Sequence, residues 1–118
     1  MSAGDWKDLY QAATSGNLPL VRYHLDEGVD PNYQHPEILC TPLVASLVNG
    51  HDEVALHLLA HGAAPGLLSE MDNLTPLQAA RRHGRTRLVE RLEAMGATEP
   101  PQPFWRRWMG GRRGAVSR

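Results

Sequence analysis

Thr41-Pro42-Leu43-Val44-Ala45-Ser46-Leu47-Val48-Asn49-Gly50-His51-Asp52-Glu53-Val54 is the stretch on which the fold turns, because its punctuation returns 34 residues later as Thr75-Pro76-Leu77 and Gly84. Gly16 precedes Gly50 by the same interval, and Gly28, Gly62 and Gly96 form a second series in step with the first. A fixed period of this size marks a stack of structural repeats. Within one period, Thr41 is placed to cap a helix, Pro42 suits its first position, and the apolar run ends at Gly50. A second segment follows in which Val54, Ala55, Leu58 and Leu59 share one helical face. It stops at Gly62, where a left-handed conformation costs glycine little. Each unit is therefore expected to be a helix-turn-helix that buries its apolar stripe only by leaning on its neighbours.

These residues resemble the ankyrin repeat, whose signature opens Thr-Pro-Leu-His. The second unit is the nearest match, with Thr41-Pro42-Leu43, Asn49-Gly50-His51, Glu53-Val54 and His61-Gly62-Ala63. The first is similar in Ala12, Gly16-Asn17, Leu20-Val21 and Gly28-Val29-Asp30-Pro31-Asn32. The third is similar in Thr75-Pro76-Leu77, Ala79-Ala80, Gly84, Leu88-Val89 and Gly96-Ala97. Val44 and Gln78 stand where the family usually places His, so its Thr-to-His hydrogen bond is lost, with Gln78 able to replace it. The resemblance implies an all-α solenoid over residues 1–97, in units of about 5–35, 36–69 and 70–97, joined by short β-hairpin-like fingers. No complete hairpin precedes the first helix.

The resemblance also implies where a protein partner would bind, namely a concave groove of finger tips and first helices. The matching positions are Glu37, Ile38, Cys40, Val48 and Asn49 in the second unit, and Met71, Asp72, Leu74, Arg82 and His83 in the third. Ile38, Val48, Met71 and Leu74 are expected as apolar groups in a polar surround, the composition of a contact core with a rim. Tyr33, Gln34 and His35 join them on the first finger, where an aromatic side chain brings contact area at low entropic cost.

The 118 residues are 42% hydrophobic, enough for one small core, and three repeats are near the minimum for independent stability. Cys40 is the single cysteine, which excludes an intrachain disulfide and a cysteine-rich metal site. Met1-Ser2-Ala3-Gly4-Asp5 has no leader character and no segment is long enough to span a membrane, so a cytoplasmic location is expected. The near-zero net charge hides polarity: residues 1–80 hold two basic and ten acidic side chains, and residues 81–118 hold ten Arg and three Glu. In a stack this predicts an acidic end and a basic end. With no stronger sign of assembly, a monomer is the expectation.

Chemistry beyond recognition finds little support. His57 and His61 have the i, i+4 spacing of a zinc pair, but no His-Glu-x-x-His string or third ligand accompanies them, and His51 and His61 fall where the repeat often has His. His24 aligns with Leu58 and Leu92 and reads as a partly buried core residue. Cys40 lacks a His and Asn or Asp constellation, and no phosphate loop or nucleophile elbow is present. No catalytic residue, metal or cofactor is expected.

Residues 98–118 change character, from Glu99-Pro100-Pro101-Gln102-Pro103 to the basic aromatic run Phe104-Trp105-Arg106-Arg107-Trp108-Met109 and a Gly/Arg end. The segment is open to three readings: a cap docked on the third repeat, a contact for a separate partner, or a touch on an anionic membrane surface. Nucleic acid is disfavoured because the repeats are acidic and the basic run is short. Arg81 and Glu93 replace Leu47 and Leu59, so the third unit already has a water-adapted outer face. The sequence thus points to a non-catalytic module for an unidentified protein, with a peripheral adaptor holding a membrane or anionic partner by its tail as the alternative.

Overall fold

The computed structural model describes residues 3–98, with side chains from residue 5. The tail contacts expected at Phe104, Trp105, Arg106, Arg107 and Trp108 lie outside the described residues. Six helices follow one another: α1 Ala3–Ser15, α2 Leu18–Asp26, α3 Pro42–Val48, α4 Asp52–Ala60, α5 Pro76–Arg82 and α6 Thr86–Ala94. Helices α1, α3 and α5 pack side by side as one layer, α2, α4 and α6 as the other, and each unit joins one helix of each. This is the all-α helical repeat that the period implies. Two longer connections, residues 27–41 and 61–75, form fingers. Among the described residues their only β-pairing is the bridge between Ser69 and Leu74.

The punctuation acts as its chemistry predicts. Thr41 and Thr75 accept hydrogen bonds from the Val44 and Gln78 amides, with proline in the first turn after each. Gln78 completes a capping box by accepting from the Thr75 amide at 3.0 Å, the substitute for histidine that its amide group allows. All six periodic glycines have positive φ, between 69° and 94°.

Equivalent positions form one core. Leu9, Leu43 and Leu77 are all buried, as are Leu58 and Leu92, Val54 and Leu88. The exceptions mark the ends. At the C-terminal end, where Leu47 and Leu59 would recur, Arg81 and Glu93 are exposed and pair with each other at 2.6 Å. At the N-terminal end, Asp8 and Gln11 are exposed where Pro42 and Ala45 are buried in the next unit. His24, half-buried, lines an open depression there with Asp8, Gln11 and Leu20, so it belongs to the end face rather than to the core interior. Both ends of the stack thus present polar groups to water, as terminal repeats require.

Polar ties between units run at the same interval. Asn32 accepts from the Ala64 amide at 2.7 Å and donates to the Gly62 carbonyl at 2.8 Å. His51 Nε2 donates to the Thr14 carbonyl at 3.1 Å, and Arg85, one period on, reaches back to the Gly50 carbonyl and the Asp52 carboxylate. Arg87 meets Glu53 at 3.3 Å. The basic third unit therefore neutralises part of the acidic second one, and the charge blocks of the sequence become contacts between neighbours as well as a polarity between ends.

Gly16 is needed for space as well as for backbone conformation. A Cβ there would stand 2.6 Å from the His51 imidazole, whereas one on Gly62 would meet nothing within 4 Å. Gly62→Ala should therefore cost only the left-handed strain, about 1 to 2 kcal/mol, and Gly16→Ala that much plus the loss of the His51 tie to Thr14. Urea melts of the two variants check the order.

Candidate functional site

The first finger is built around an aromatic knot. Trp6 of α1, fully buried, stacks on Tyr10 at 5.3 Å and on His35 at 5.6 Å, with Tyr33 edge-on at 6.1 Å. His35 is only 5% exposed, and its Nδ1 accepts from the amides of Glu37 and Ile38 at 3.0 and 3.1 Å. His35 therefore mainly holds the turn and offers only an edge to the hollow between the fingers, which corrects its expected place as an open contact residue. Ser69 occupies the matching position of the second finger and is also buried. Its hydroxyl donates to Asp72 at 2.8 Å and accepts from the Thr41 amide at 3.3 Å.

Leu74 needs the same correction. It is 6% exposed, paired through its backbone to Ser69, and part of the core, so its side chain turns away from the groove it was expected to line. Asn73, at φ 55°, reverses the chain just before it. Met71 is 65% exposed.

What the fingers do present is a surface of four apolar side chains: Tyr33, Leu39, Leu68 and Met71, each at least 39% exposed. The Met71 amide donates to the Leu39 carbonyl at 2.7 Å, which brings the two fingers side by side. A shallow hollow of about 20 Å³, room for one water molecule, lies between them, lined by His35, Ile38, Leu39, Cys40, Leu68 and Glu70 among others. Leu39 and Leu68 were not among the sequence-derived contacts, although Leu68 stands one period after Gln34, which was. Gln34, Glu37 and Asp72 are exposed on the same fingers, while Ile38 and Cys40 are half-buried.

The other expected contacts form a second group, one helix length or about 10 Å from the fingers. Val48 is half-buried against the core. Asn49 turns its amide back to the Ala45 carbonyl at 2.8 Å, and Arg82 and His83 are exposed at the end of α5. Beside the fingers on α1, burial pushes the Tyr10 hydroxyl up to about 12, with the Cys40 thiol and then the Asp72 carboxylate adding to the effect. The phenol is thus a neutral hydrogen-bonding group at physiological pH.

On the opposite layer, the His57 and His61 rings stand 4.2 Å apart, and His61 Nδ1 donates to the His57 carbonyl. His61 Nε2 lies 3.9 Å from Asp26, and no group of three metal-ligating side chains forms among the described residues. Burial, then His61 and Arg22, hold the His57 pKa below its ordinary 6.5, against the opposing pull of Asp26. The native protein then binds fewer protons than the unfolded chain as pH falls through 6.5, so stability present above that pH is lost below it. His57→Gln should flatten the decline of Tm between about pH 7 and pH 5; an unchanged slope would assign the dependence to other groups.

No helix among the described residues is long and apolar enough to cross a membrane. The model of three ankyrin repeats matches residues 9–99. The ARF GTPase-activating protein GIT1 of Homo sapiens is 35% identical over 86 residues, which covers 73% of this chain and 11% of that protein. Its namesake Git of Drosophila melanogaster is 33% identical over 86 residues, covering 12% of its length. ARF GTPase-activating protein GIT2 of Mus musculus is 35% identical over 86 residues, covering 12% of its length. This chain spans about a tenth of the length of these curated relatives. With its helix pairs, caps and positive-φ glycines in register over three units, the chain belongs to the ankyrin-repeat family.

Proposed function

We propose that this protein is a non-catalytic recognition module that binds a protein partner through its two fingers and the adjoining face of the first-helix layer. The observation that carries the reading is the finger surface: of the seven large apolar side chains exposed among the described residues, Tyr33, Leu39, Leu68 and Met71 lie on the two fingers, while Leu20, Tyr23 and Met95 lie on or next to the second helices α2 and α6. Exposed apolar groups gathered on the fingers make a contact core, and Gln34, Glu37, Glu70 and Asp72 supply its polar rim. The GTPase-activating activity in the relatives' name is not part of this proposal. The similarity lies in a stretch about a tenth of their length, and the shifted groups Tyr10 and His57 sit in different helix layers, too far dispersed to act on one substrate. A single cysteine without a disulfide fits a reducing, cytoplasmic setting.

The test compares proteins captured from the native cell by the intact chain with those captured by Leu39→Asp with Met71→Asp. Both side chains are exposed, so the melting curve should stay within about 0.5 kcal/mol of the parent while the specific partner is lost. Retained capture by a folded double variant would move the site away from the fingers.

A further inference from the structure

Among the described residues the fingers carry a one-sided charge. Asp30, Glu37, Glu70 and Asp72 lie on them, and neither finger contains a Lys or Arg. The hollow between them combines carboxylate with apolar walls, Glu70 beside Ile38, Leu39 and Leu68. This surface fits a segment that is both cationic and aromatic. Residues 99–118 have that composition, with five Arg against one Glu, and Phe104, Trp105 and Trp108 set among the arginines.

The way the chain leaves the third unit points the same way. Val29, Ala63 and Ala97 each follow a positive-φ glycine, with φ of 92°, 94° and 93° at Gly28, Gly62 and Gly96. Each donates its amide to the carbonyl five residues back, at 3.1, 2.9 and 2.9 Å. The chain thus departs from α6 on the track that leads into each finger, toward the finger side of the stack. The six steps from Thr98 to Phe104 cross three prolines and span about 19 Å in extended form. The second finger uses the same number of steps to go from Ala64 to Glu70. One feature is missing: the Asn32 side chain pins the base of the second finger to the first, whereas its counterpart beside the departing tail is Gly66, which has no side chain to make those bonds. A tail held only by its own contacts can come off. Tethering raises its local concentration to about the millimolar range, so modest affinity is enough to keep it in place.

We propose that the segment Phe104–Arg113 of this chain docks on the acidic, apolar finger surface, aromatic rings against Leu39, Leu68 and Met71 and arginines against Glu37 and Glu70. It thereby covers the surface assigned above to the partner. The inference rests on that assignment and makes partner binding a competition: a partner must displace the tail, and salt or charge reversal in the tail frees the site.

The experiment uses the full chain. A nitroxide is attached at Gly111→Cys in a Cys40→Ser background whose amide spectrum shows the native fold. Amide signals of residues 39, 68 and 71 should lose intensity, those of α2 and α4 should not, and Arg106→Glu with Arg107→Glu or high salt should restore them. Loss of intensity spread evenly over the molecule, confined to α6, or unaffected by charge reversal would overturn the proposal. So would salt-sensitive binding to phosphatidylserine vesicles with the finger amides untouched, which would place the tail on lipid. The two readings fail separately. Empty fingers with capture still abolished by the Leu39 and Met71 substitutions would refute tail docking alone, and docked tails with capture unaffected would refute the assigned partner surface.

Discussion

Leu43→Ala should lower the free energy of unfolding by about 2 to 5 kcal/mol, enough to unfold much of so short an array. Leu43 sits in the first turn of α3, and α3 packs against α1 on one side, α5 on the other and α4 in its own unit. The cavity left by alanine would therefore be shared by all three units and has no free edge on which to collapse. Leu9 and Leu77 occupy the same position in the neighbouring units and are equally buried. Their alanine variants should fall toward the lower end of that range, because each end unit has one neighbour instead of two. Chemical denaturation of the three variants tests the repeat register and the stacking order together. A loss below about 1 kcal/mol at Leu43 would be inconsistent with both.

Leu74→Asp is the second large effect. A carboxylate at a site 6% exposed, beside the buried Ser69 and Thr75, has no cation to meet and loses its hydration. Expected is a chain without a cooperative melting transition at 25 °C. Met71→Asp, three residues earlier, should leave stability within about 0.5 kcal/mol of the parent. Circular dichroism melts of the pair decide whether the second finger is oriented as described, since a finger rotated about its long axis would exchange the two outcomes.

The contrast between these two residues shows where sequence reading stops. The helices were legible because every determinant is local and repeated: Thr41 and Thr75 cap, Pro42 and Pro76 start, and the glycines stop at a fixed interval. Gln78 in place of histidine and the Arg81 and Glu93 substitutions were legible for the same reason, since a departure from a period is as informative as the period. The fingers have no such rule. Among the described residues they contain one bridge and no regular strand, so side chains do not alternate between faces, and orientation is set by distant bonds. Examples are Met71 to Leu39, Thr41 to Ser69, and Trp6 stacking on His35. His35 was read as a surface residue because its partner Trp6 lies 29 positions away on α1. The charge blocks were read as ends of a dipole, and the sequence alone did not show that Arg85 and Arg87 would meet Asp52 and Glu53 across a unit boundary.

Hydrogen exchange of the full chain, free and with a captured partner, tests the central claim most directly. If recognition runs through the fingers, protection on binding will concentrate in residues 33–41 and 66–74 and extend to the first-helix layer, and α2, α4 and α6 will exchange as they do in the free protein. Protection confined to the second-helix layer, with the fingers unchanged, would contradict the account.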